Sequence, residues 1–292
     1  MKINLNSNCF VCPYCECKTT RQKNILSCLK DKNHQYLIKD NIISFIKNKE
    51  FDSHWSKYRS TPVPVAKLEA AKNFLSPIIT KFKDNSYVLD VGCGDGVHAY
   101  YLKKIIPSPK KISYTGLDIS LEGLIKTQER DKDSVLLHAN AAHIPLQSNL
   151  MDIVFSYGVI AYTDNPEKTL RELARVTKKG GLIGIWIYPD PGKLKGFVLR
   201  FVRKISKLAG PRITFLIANL IVPFLGLLPV ASGVNLKNAS WKQCLEITLV
   251  NIAPKQLCFP SIEYIHKWFK RANLSIIYQD QNPPISIWAK KE

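Results

Sequence analysis

The run VLDVGCGDG, Val88–Gly96, constrains this chain more than any other segment. A short apolar stretch, YVLDV, ends in glycines at alternate positions, Gly92, Gly94 and Gly96, and the helix-compatible GVHAYYLKK follows directly. Glycines so placed let a strand turn sharply into a helix while the backbone passes close to a ligand. A strand–turn–helix unit is half of a parallel crossover, so strands and helices should alternate after it. KISYTGLDIS, VLLHAN, MDIVFSYG and GLIGIWIY read as four further strands. Between the last two lies a helix over Asn165–Thr177, with Asp164 or Asn165 as cap, Pro166 in its first turn, and Leu170, Leu173, Ala174 and Val176 on one face. KKGG after it reads as a helix stop. The tail adds a helix, SIEYIHKWFKRAN, and two strands, LSIIYQ and ISIWAK. The fold expected is α/β, a doubly wound and largely parallel sheet.

In such a sheet, ligands bind where the strands end. Asp118 closes the second strand, about twenty residues past the last glycine, where a carboxylate can accept both hydroxyl protons of a ribose. Asn140 closes the third, and its amide suits an adenine edge. Asp152 opens the fourth, and Ser156 and Tyr157 lie at its end. A nicotinamide-binding sheet is disfavoured, because the spacing is GxGxG rather than GxGxxG. Residues 55–190, and more loosely the tail, resemble the class I S-adenosylmethionine-dependent methyltransferases. Asp90, Gly92, Gly94 and Gly96 match that family's first motif, and NAAHIPLQSNLMDIVFSYGVIAYTDNPEKTLRELARVTKKGGLI follows its later ones almost position by position.

The resemblance implies a Rossmann-like, seven-stranded sheet and S-adenosylmethionine as cofactor. It implies that Asp90 lies near the methionine amine, that Gly92, Cys93, Gly94 and Gly96 pass beneath it, and that Asp118 takes the ribose. Ile119, Asn140 and Ala141 would flank the adenine, with Ser156 at the neighbouring strand end. Two positions depart from the family: Asn140 stands where Asp is usual, and Ala161 and Tyr162 stand where many members carry paired histidines. No histidine base is therefore available there. The sulfonium methyl is already electrophilic, so the protein must mainly align the reactants and exclude water, and a base is needed only if the nucleophile carries a proton that must leave. Tyr162 is the candidate for orienting the acceptor, or else a packed ring; His143 reads as a cofactor-side or surface residue.

Five of the eight cysteines fall within Cys9–Cys28 and mark an N-terminal module, residues 1–50. Cys12 and Cys15 form a C-x2-C knuckle; Cys28 follows after twelve intervening residues and His34 after five more. Three thiolates and an imidazole make a closed tetrahedral zinc site, able to fold a segment too small to support itself. The alternatives are a degenerate ribbon without metal and a redox C-x-x-C, the latter lacking its usual βαβ setting. HQYLIKDNIISFI, after the last cysteine, resembles the end of the N-terminal zinc ribbon of bacterial 23S rRNA guanine-N1 methyltransferases, and the short ribbon of other bacterial methyltransferases. Asp31 falls where a second knuckle would place cysteine, and Cys9 and Cys17 are extra.

A polar link, FDSHWSKYRSTPVPVAK, then opens the catalytic domain expected over 51–292, with a helix over 67–83 complicated by Pro77. Residues 189–240 interrupt the alternation, and the resemblance makes this insertion a helical lid over the acceptor. GFVLRFVRKISKL places Phe197, Phe201, Ile205 and Leu208 on one helical face and Arg200, Arg203, Lys204 and Lys207 on the other. Such a helix either packs on its own domain with its basic face solvated, or meets an anionic membrane surface through 196–208. ITFLIANLIVPFLGLLPV carries no charge, but it is short for a span and is broken by Asn219, Pro223, Gly226 and Pro229. The net charge of +19 attracts anionic partners, or else reflects a genome rich in Lys and Asn codons. Met1–Phe10 is polar with no apolar core, so a cytosolic, thiol-reducing setting is expected, with any peripheral membrane contact confined to the insertion. Three functions follow in order: methyl transfer to a small or lipid-like acceptor under an apolar lid, methylation of a guanine in rRNA, and a non-catalytic zinc-ribbon adaptor. Nucleic acid is the weaker partner, since RNA binding favours basic grooves with exposed aromatics.

Overall fold

The computed structural model describes residues 9–46, 65–106, 111–188, 193–224, 240–252, 257–280 and 285–292. The described strands form a single sheet. Four come from the N-terminal segment: β1 (Thr19–Gln22), β2 (Ile25–Cys28), β3 (Gln35–Lys39) and β4 (Ile42–Ser44). The other seven are β5 (Ser86–Val91), β6 (Ile112–Asp118), β7 (Val135–His138), β8 (Met151–Tyr157), β9 (Thr177–Ile187), β10 (Leu274–Gln279) and β11 (Ile285–Lys291). Their order is β1-β2-β3-β4-β7-β6-β5-β8-β9-β11-β10, so the sheet has eleven strands where seven were expected. The difference lies at β4, which pairs parallel with β7 through Ile42–Leu136, Ile43–Leu137 and Ser44–His138. The cysteine-bearing segment is thus a continuation of the main sheet, and it covers what would be an open edge.

The alternation read from the sequence is otherwise present. α1 (Val65–Leu75), α2 (Val97–Ile105), α3 (Leu121–Arg130), α4 (Pro166–Val176) and α7 (Ile262–Arg271) accompany the strands; α5 (Lys193–Ile221), kinked at Gly210, lies in the insertion, and α6 (Trp241–Ile252) follows just beyond it. Asn165 caps α4 by accepting from the Lys168 amide, and Ser261 caps α7 by accepting from that of Tyr264. On one side of the sheet, Leu170, Leu173 and Val176 of α4 and Ile265 and Phe269 of α7 share a core with Leu26, Ile43 and Phe45 of the N-terminal segment. On the other, Phe74, Ile78, Phe82 and Leu102 surround Trp288. Each fully buried Leu or Phe contributes about 1.5–3 kcal/mol. α5 and α6 share a small core around Ala218, Leu245 and Leu249.

Three local expectations change. The helix expected over 67–83 becomes α1 followed by a 3-10 turn, Ser76–Lys81, because Pro77 removes the amide an α-helix would use. The third strand ends at His138, leaving Asn140 in the turn beyond it. KKGG is no stop; Thr177 passes directly from α4 into β9, and Gly180 takes φ +73° within that strand. Among the described residues no helix is long and apolar enough to cross a membrane. Residues 225–230, the end of the uncharged run, lie outside the described residues.

β5 is joined to β6 on one side and to β8 on the other, so the connections diverge at its carboxyl end and open a crevice there. The position of β9 against β11 depends on Gly184, whose missing Cβ would lie 2.5 Å from the Trp288 ring. Trp288 is itself anchored by its indole N–H donating to the Phe74 carbonyl at 2.9 Å. Gly184→Ala is expected to cost about 1–3 kcal/mol by overpacking. Urea unfolding measures it, and an unchanged midpoint would show that the ring relaxes freely.

Candidate functional site

The crevice is built on the turn from β5 to α2. Gly92, Gly94 and Gly96 all have positive φ, and Gly96 is the left-handed cap of α2. At Gly92 a Cβ would sit 2.1 Å from the Val159 side chain, so only glycine fits there. The Gly92 and Cys93 amides donate to the Leu117 carbonyl at 2.6 and 3.1 Å. Thr127 donates to the Gly94 carbonyl at 2.8 Å, tying the turn to α3. Cys93 is buried, facing Gly116 of β6, and burial raises its thiol pKa well above normal.

Two carboxylates flank this turn. Asp118 Oδ2 accepts from the Gly94 amide and Oδ1 from the Ser120 amide, both at 2.8 Å. Burial pushes its pKa up to about 6, against the lowering effect of those amides. It is therefore mostly ionised at neutral pH and able to accept hydroxyl protons. Asp90, fully buried, accepts the Tyr114 hydroxyl on Oδ2 at 2.8 Å, and the same oxygen lies 3.1 Å from His98 Nδ1. Its Oδ1 is buried and has no partner in the protein. A carboxylate oxygen left so is costly and calls for a donor from a ligand, which an ammonium group supplies.

Further along the edge, Asn140 Oδ1 accepts from the Ala142 amide at 2.9 Å, leaving its amide nitrogen as the donor for a ligand. Ala141 is buried beside it, and the Ile119 carbonyl is 3.1 Å from His138 Nε2. Ser156 differs from expectation: its buried hydroxyl donates to the Val91 carbonyl at 2.9 Å, bonding β8 to β5. His143 pairs with Lys168 Nζ at 2.7 Å on an exposed surface.

Residues 89–185 match the family model described as a methyltransferase domain. Within the chain, 98 residues are 33% identical to malonyl-[acyl-carrier protein] O-methyltransferase of Hamiltonella defensa, covering 34% of this chain and 36% of that protein. A 121-residue stretch is 26% identical to the sterol 24-C-methyltransferase erg6 of Schizosaccharomyces pombe, covering 37% of this chain and 30% of that one. The chain thus spans about a third of the length of these curated relatives. Magnesium protoporphyrin IX methyltransferase from Synechocystis, solved with bound SAH, shares the fold at a TM-score of 0.52 and 12% identity, over 83% of this chain and 96% of that one.

The crevice also carries groups that the sequence pattern does not single out. Behind Asp90 an aromatic series runs His98–Tyr157–Trp186–Tyr188–Tyr162, with neighbouring ring centroids 4.6–5.9 Å apart. Tyr162 lies in the 3-10 turn Ile160–Tyr162 after β8, and its hydroxyl is buried without a hydrogen-bond partner. Burial raises the pKa of Tyr162, Tyr157 and Tyr188, so these phenols remain protonated at neutral pH. Arg203 departs from the solvated basic face expected of it: it is 6% exposed, and Tyr162 is its electrostatic neighbour. The position of His98, two residues past the last glycine, was a readable signal; the inward turn of Arg203 was not.

A second cluster lies in the N-terminal segment. Cys12, Cys15, Cys28 and His34 place one ligand atom each within 4.8 Å of one another. Cys15 and Cys28 sulfurs are 3.4 Å apart, and Cys12 Sγ is 3.5 Å from His34 Nδ1. Ligands at zinc bond lengths of about 2.0–2.3 Å in a tetrahedron lie roughly 3.5–3.8 Å apart, so the donor set and spacing fit. Burial raises the Cys28 pKa, but the Asp31 and Lys30 amides, each 3.4 Å from its sulfur, bring the net shift below normal and favour the thiolate. Asp31, which replaces a knuckle cysteine, also sets its carboxylate 3.7 Å from His34 Nε2, where it can orient the ring.

Two measurements check this geometry. Asp118 titrates higher in the folded protein than its ordinary value of 3.8. Its contribution to stability is therefore fully present below about pH 4 and is lost as pH rises through about 6. The wild-type, ligand-free protein should therefore lose stability as pH rises from about 4 through 6, and Asp118→Asn, which cannot ionise, should flatten that dependence while weakening cofactor binding. Equal pH profiles for variant and wild type would contradict it. For the metal, mass spectrometry of the purified chain should find one zinc, and Cys12→Ser should lose it; full retention would exclude Cys12 as a ligand.

Proposed function

We propose that this chain is an S-adenosylmethionine-dependent methyltransferase acting on a small or lipid-like acceptor enclosed by the insertion 189–240. The observation that carries this reading is the pairing of an ionisable, amide-bonded Asp118 with an unsatisfied Asp90 oxygen across one glycine turn. The cofactor supplies a methyl group already made electrophilic by its sulfonium. Asp90 Oδ1 would accept from the amino group, Asp118 from the ribose hydroxyls, and the Asn140 amide would donate to the adenine. Ile119 and Ala141 border the adenine, and Gly92, Cys93, Gly94 and Gly96 keep the turn open for the backbone's close approach. The aromatic series excludes water from the acceptor side, and Tyr162 stands there to orient the acceptor. Such a site works by alignment, since its tyrosines keep their protons.

Residues 1–50 act in this reading as a structural zinc module joined to the domain of residues 51–292. A small-molecule or lipid-like acceptor agrees with the acyl and sterol acceptors named for the two curated relatives. The outer face of α5 favours an apolar partner over RNA: Phe197, Phe201, Leu208, Leu216 and Leu220 are exposed, with Arg200, Lys204 and Arg212 exposed among them. This combination fits peripheral attachment to an anionic lipid surface.

Isothermal titration with S-adenosylhomocysteine should give one site per chain, and absence of binding would leave the adaptor reading. Metabolite profiling with labelled methyl donor should then reveal the acceptor. Vesicles containing phosphatidylserine should float the wild-type protein, and Phe201→Asp with Leu208→Asp should not; equal flotation would remove the membrane contact.

A further inference from the structure

The N-terminal segment is bonded to the stretch of chain that the cofactor reading assigns to adenine. That stretch, residues 138–147, runs from the end of β7 through Asn140 and Ala141 towards β8. At its start, Phe45, just beyond β4, donates its amide to the His138 carbonyl at 2.9 Å. His138 in turn places Nε2 3.1 Å from the carbonyl of Ile119, the other residue assigned to the adenine. At its end, the Val11 amide donates to the Pro145 carbonyl at 3.2 Å and the Gln147 amide to the Cys9 carbonyl at 2.9 Å, while Phe10 and Leu146 form an antiparallel bridge. The side chains repeat the link. Phe45 packs on Tyr36 and Phe10, with ring centroids 4.7 and 6.4 Å away, and all three share one buried cluster with Ala139, Ala141, Ile144 and Leu146. The metal cluster begins one residue further on: Cys12 follows Val11, and its sulfur lies 3.0 Å from the Tyr36 hydroxyl. α4 holds the same stretch as well, Glu172 accepting from the Ile144 amide and Arg175 donating to the Ile144 and Leu146 carbonyls. The turn is thus held by a helix of the main domain and by a segment of four short strands.

Resting on the methyltransferase and zinc readings above, we propose that the N-terminal segment is part of the cofactor site. Its residues 9–11 and Phe45 position the adenine-binding turn at Asn140, and a metal held by Cys12, Cys15, Cys28 and His34 raises the affinity for the cofactor. Short strands with little core of their own are ordered by a metal they ligate. With the segment ordered, the turn is held at both ends and the cofactor meets a preformed edge. Without the metal, residues 9–11 lose their anchor, and cofactor binding must itself order residues 139–147. Phe45 is a positioning residue in this scheme, acting through the His138 carbonyl. The coupling is reciprocal by linkage: whatever factor the metal adds to cofactor affinity, the cofactor adds to metal affinity.

The test uses the full chain, with Zn2+, S-adenosylhomocysteine and 5′-methylthioadenosine as probes. Calorimetry should show S-adenosylhomocysteine binding at least about fivefold weaker once a chelator has stripped the zinc, with the circular dichroism of the helices retained. 5′-Methylthioadenosine, which lacks the amino-acid end, should weaken by the same factor, because the effect lies at the adenine. Competition for Zn2+ against a chromogenic chelator should show zinc held tighter, again by that factor, when S-adenosylhomocysteine is saturating. Phe45→Leu, which stays apolar but loses the ring packing, should keep its zinc and bind S-adenosylhomocysteine several-fold more weakly. Equal S-adenosylhomocysteine affinity with and without zinc would overturn the proposal, as would 5′-methylthioadenosine binding that zinc does not affect. Should stripping unfold the helices, the loaded chain decides: zinc affinity indifferent to S-adenosylhomocysteine, or full S-adenosylhomocysteine affinity in Phe45→Leu, would overturn it. A purified chain that takes up no zinc would instead overturn the zinc reading, and a loaded chain that binds no S-adenosylhomocysteine the methyltransferase reading.

Discussion

The Asp118 carboxylate is the interaction on which the site depends. Its two oxygens take the amides of Gly94 and Ser120, one on the glycine turn and one at the start of α3. It therefore holds two crossovers in register at the carboxyl edge of β5 and β6. Thr127 closes the same ring from α3 by donating to the Gly94 carbonyl. The anchor is costly, because a buried carboxylate prefers to be protonated, and two backbone amides only partly offset that preference. A ligand that donates hydroxyl protons there relieves the remaining strain. Binding energy and local stability are thus coupled at one residue, which is why the turn can be both open and ordered.

The N-terminal segment depends on the same sheet in a different way. Four short strands without much apolar face cannot bury enough surface to be stable alone. Here β4 completes the edge of β7, and Phe45, Tyr36 and Phe10 join the core shared with α4. The cluster of Cys12, Cys15, Cys28 and His34 lies in the loops beyond this pairing. Edge pairing fixes where the segment lies, and a metal held by those four residues would fix the loops. A regular strand-and-helix reading of the main domain does not foresee this, because the pairing of β4 with β7 joins residues about ninety positions apart and leaves no local mark in either strand.

What was legible in the sequence follows from what periodicity and special residues encode. Gly92, Gly94 and Gly96 are required by backbone geometry, so the turn could be read without coordinates, as could Asp118, whose place follows from strand length. The caps of α4 and α7 were readable because Asn165 and Ser261 do chemistry that few other residues can. Less legible were contacts made across the sheet. Tyr114 reaches Asp90 from the next strand, and Ser156 turns its hydroxyl to Val91 rather than to the ligand. Nothing in either residue's neighbours along the chain marks these choices.

α5 shows the deeper limit. Helical periodicity separates Phe197, Phe201, Ile205 and Leu208 from Arg200, Arg203 and Lys204, but the structure buries Arg203 and leaves Arg200 and Lys204 exposed among the apolar residues. The periodicity does not say which face turns inward. The usual assignment assumes that the helix packs on an apolar core with water outside. Arg203 turns inward, with Tyr162 as its electrostatic neighbour, although the periodicity groups it with Arg200 and Lys204, which stay in solvent. The side that packs is set by what the rest of the fold presents to the helix, and that is not written in the helix's own pattern.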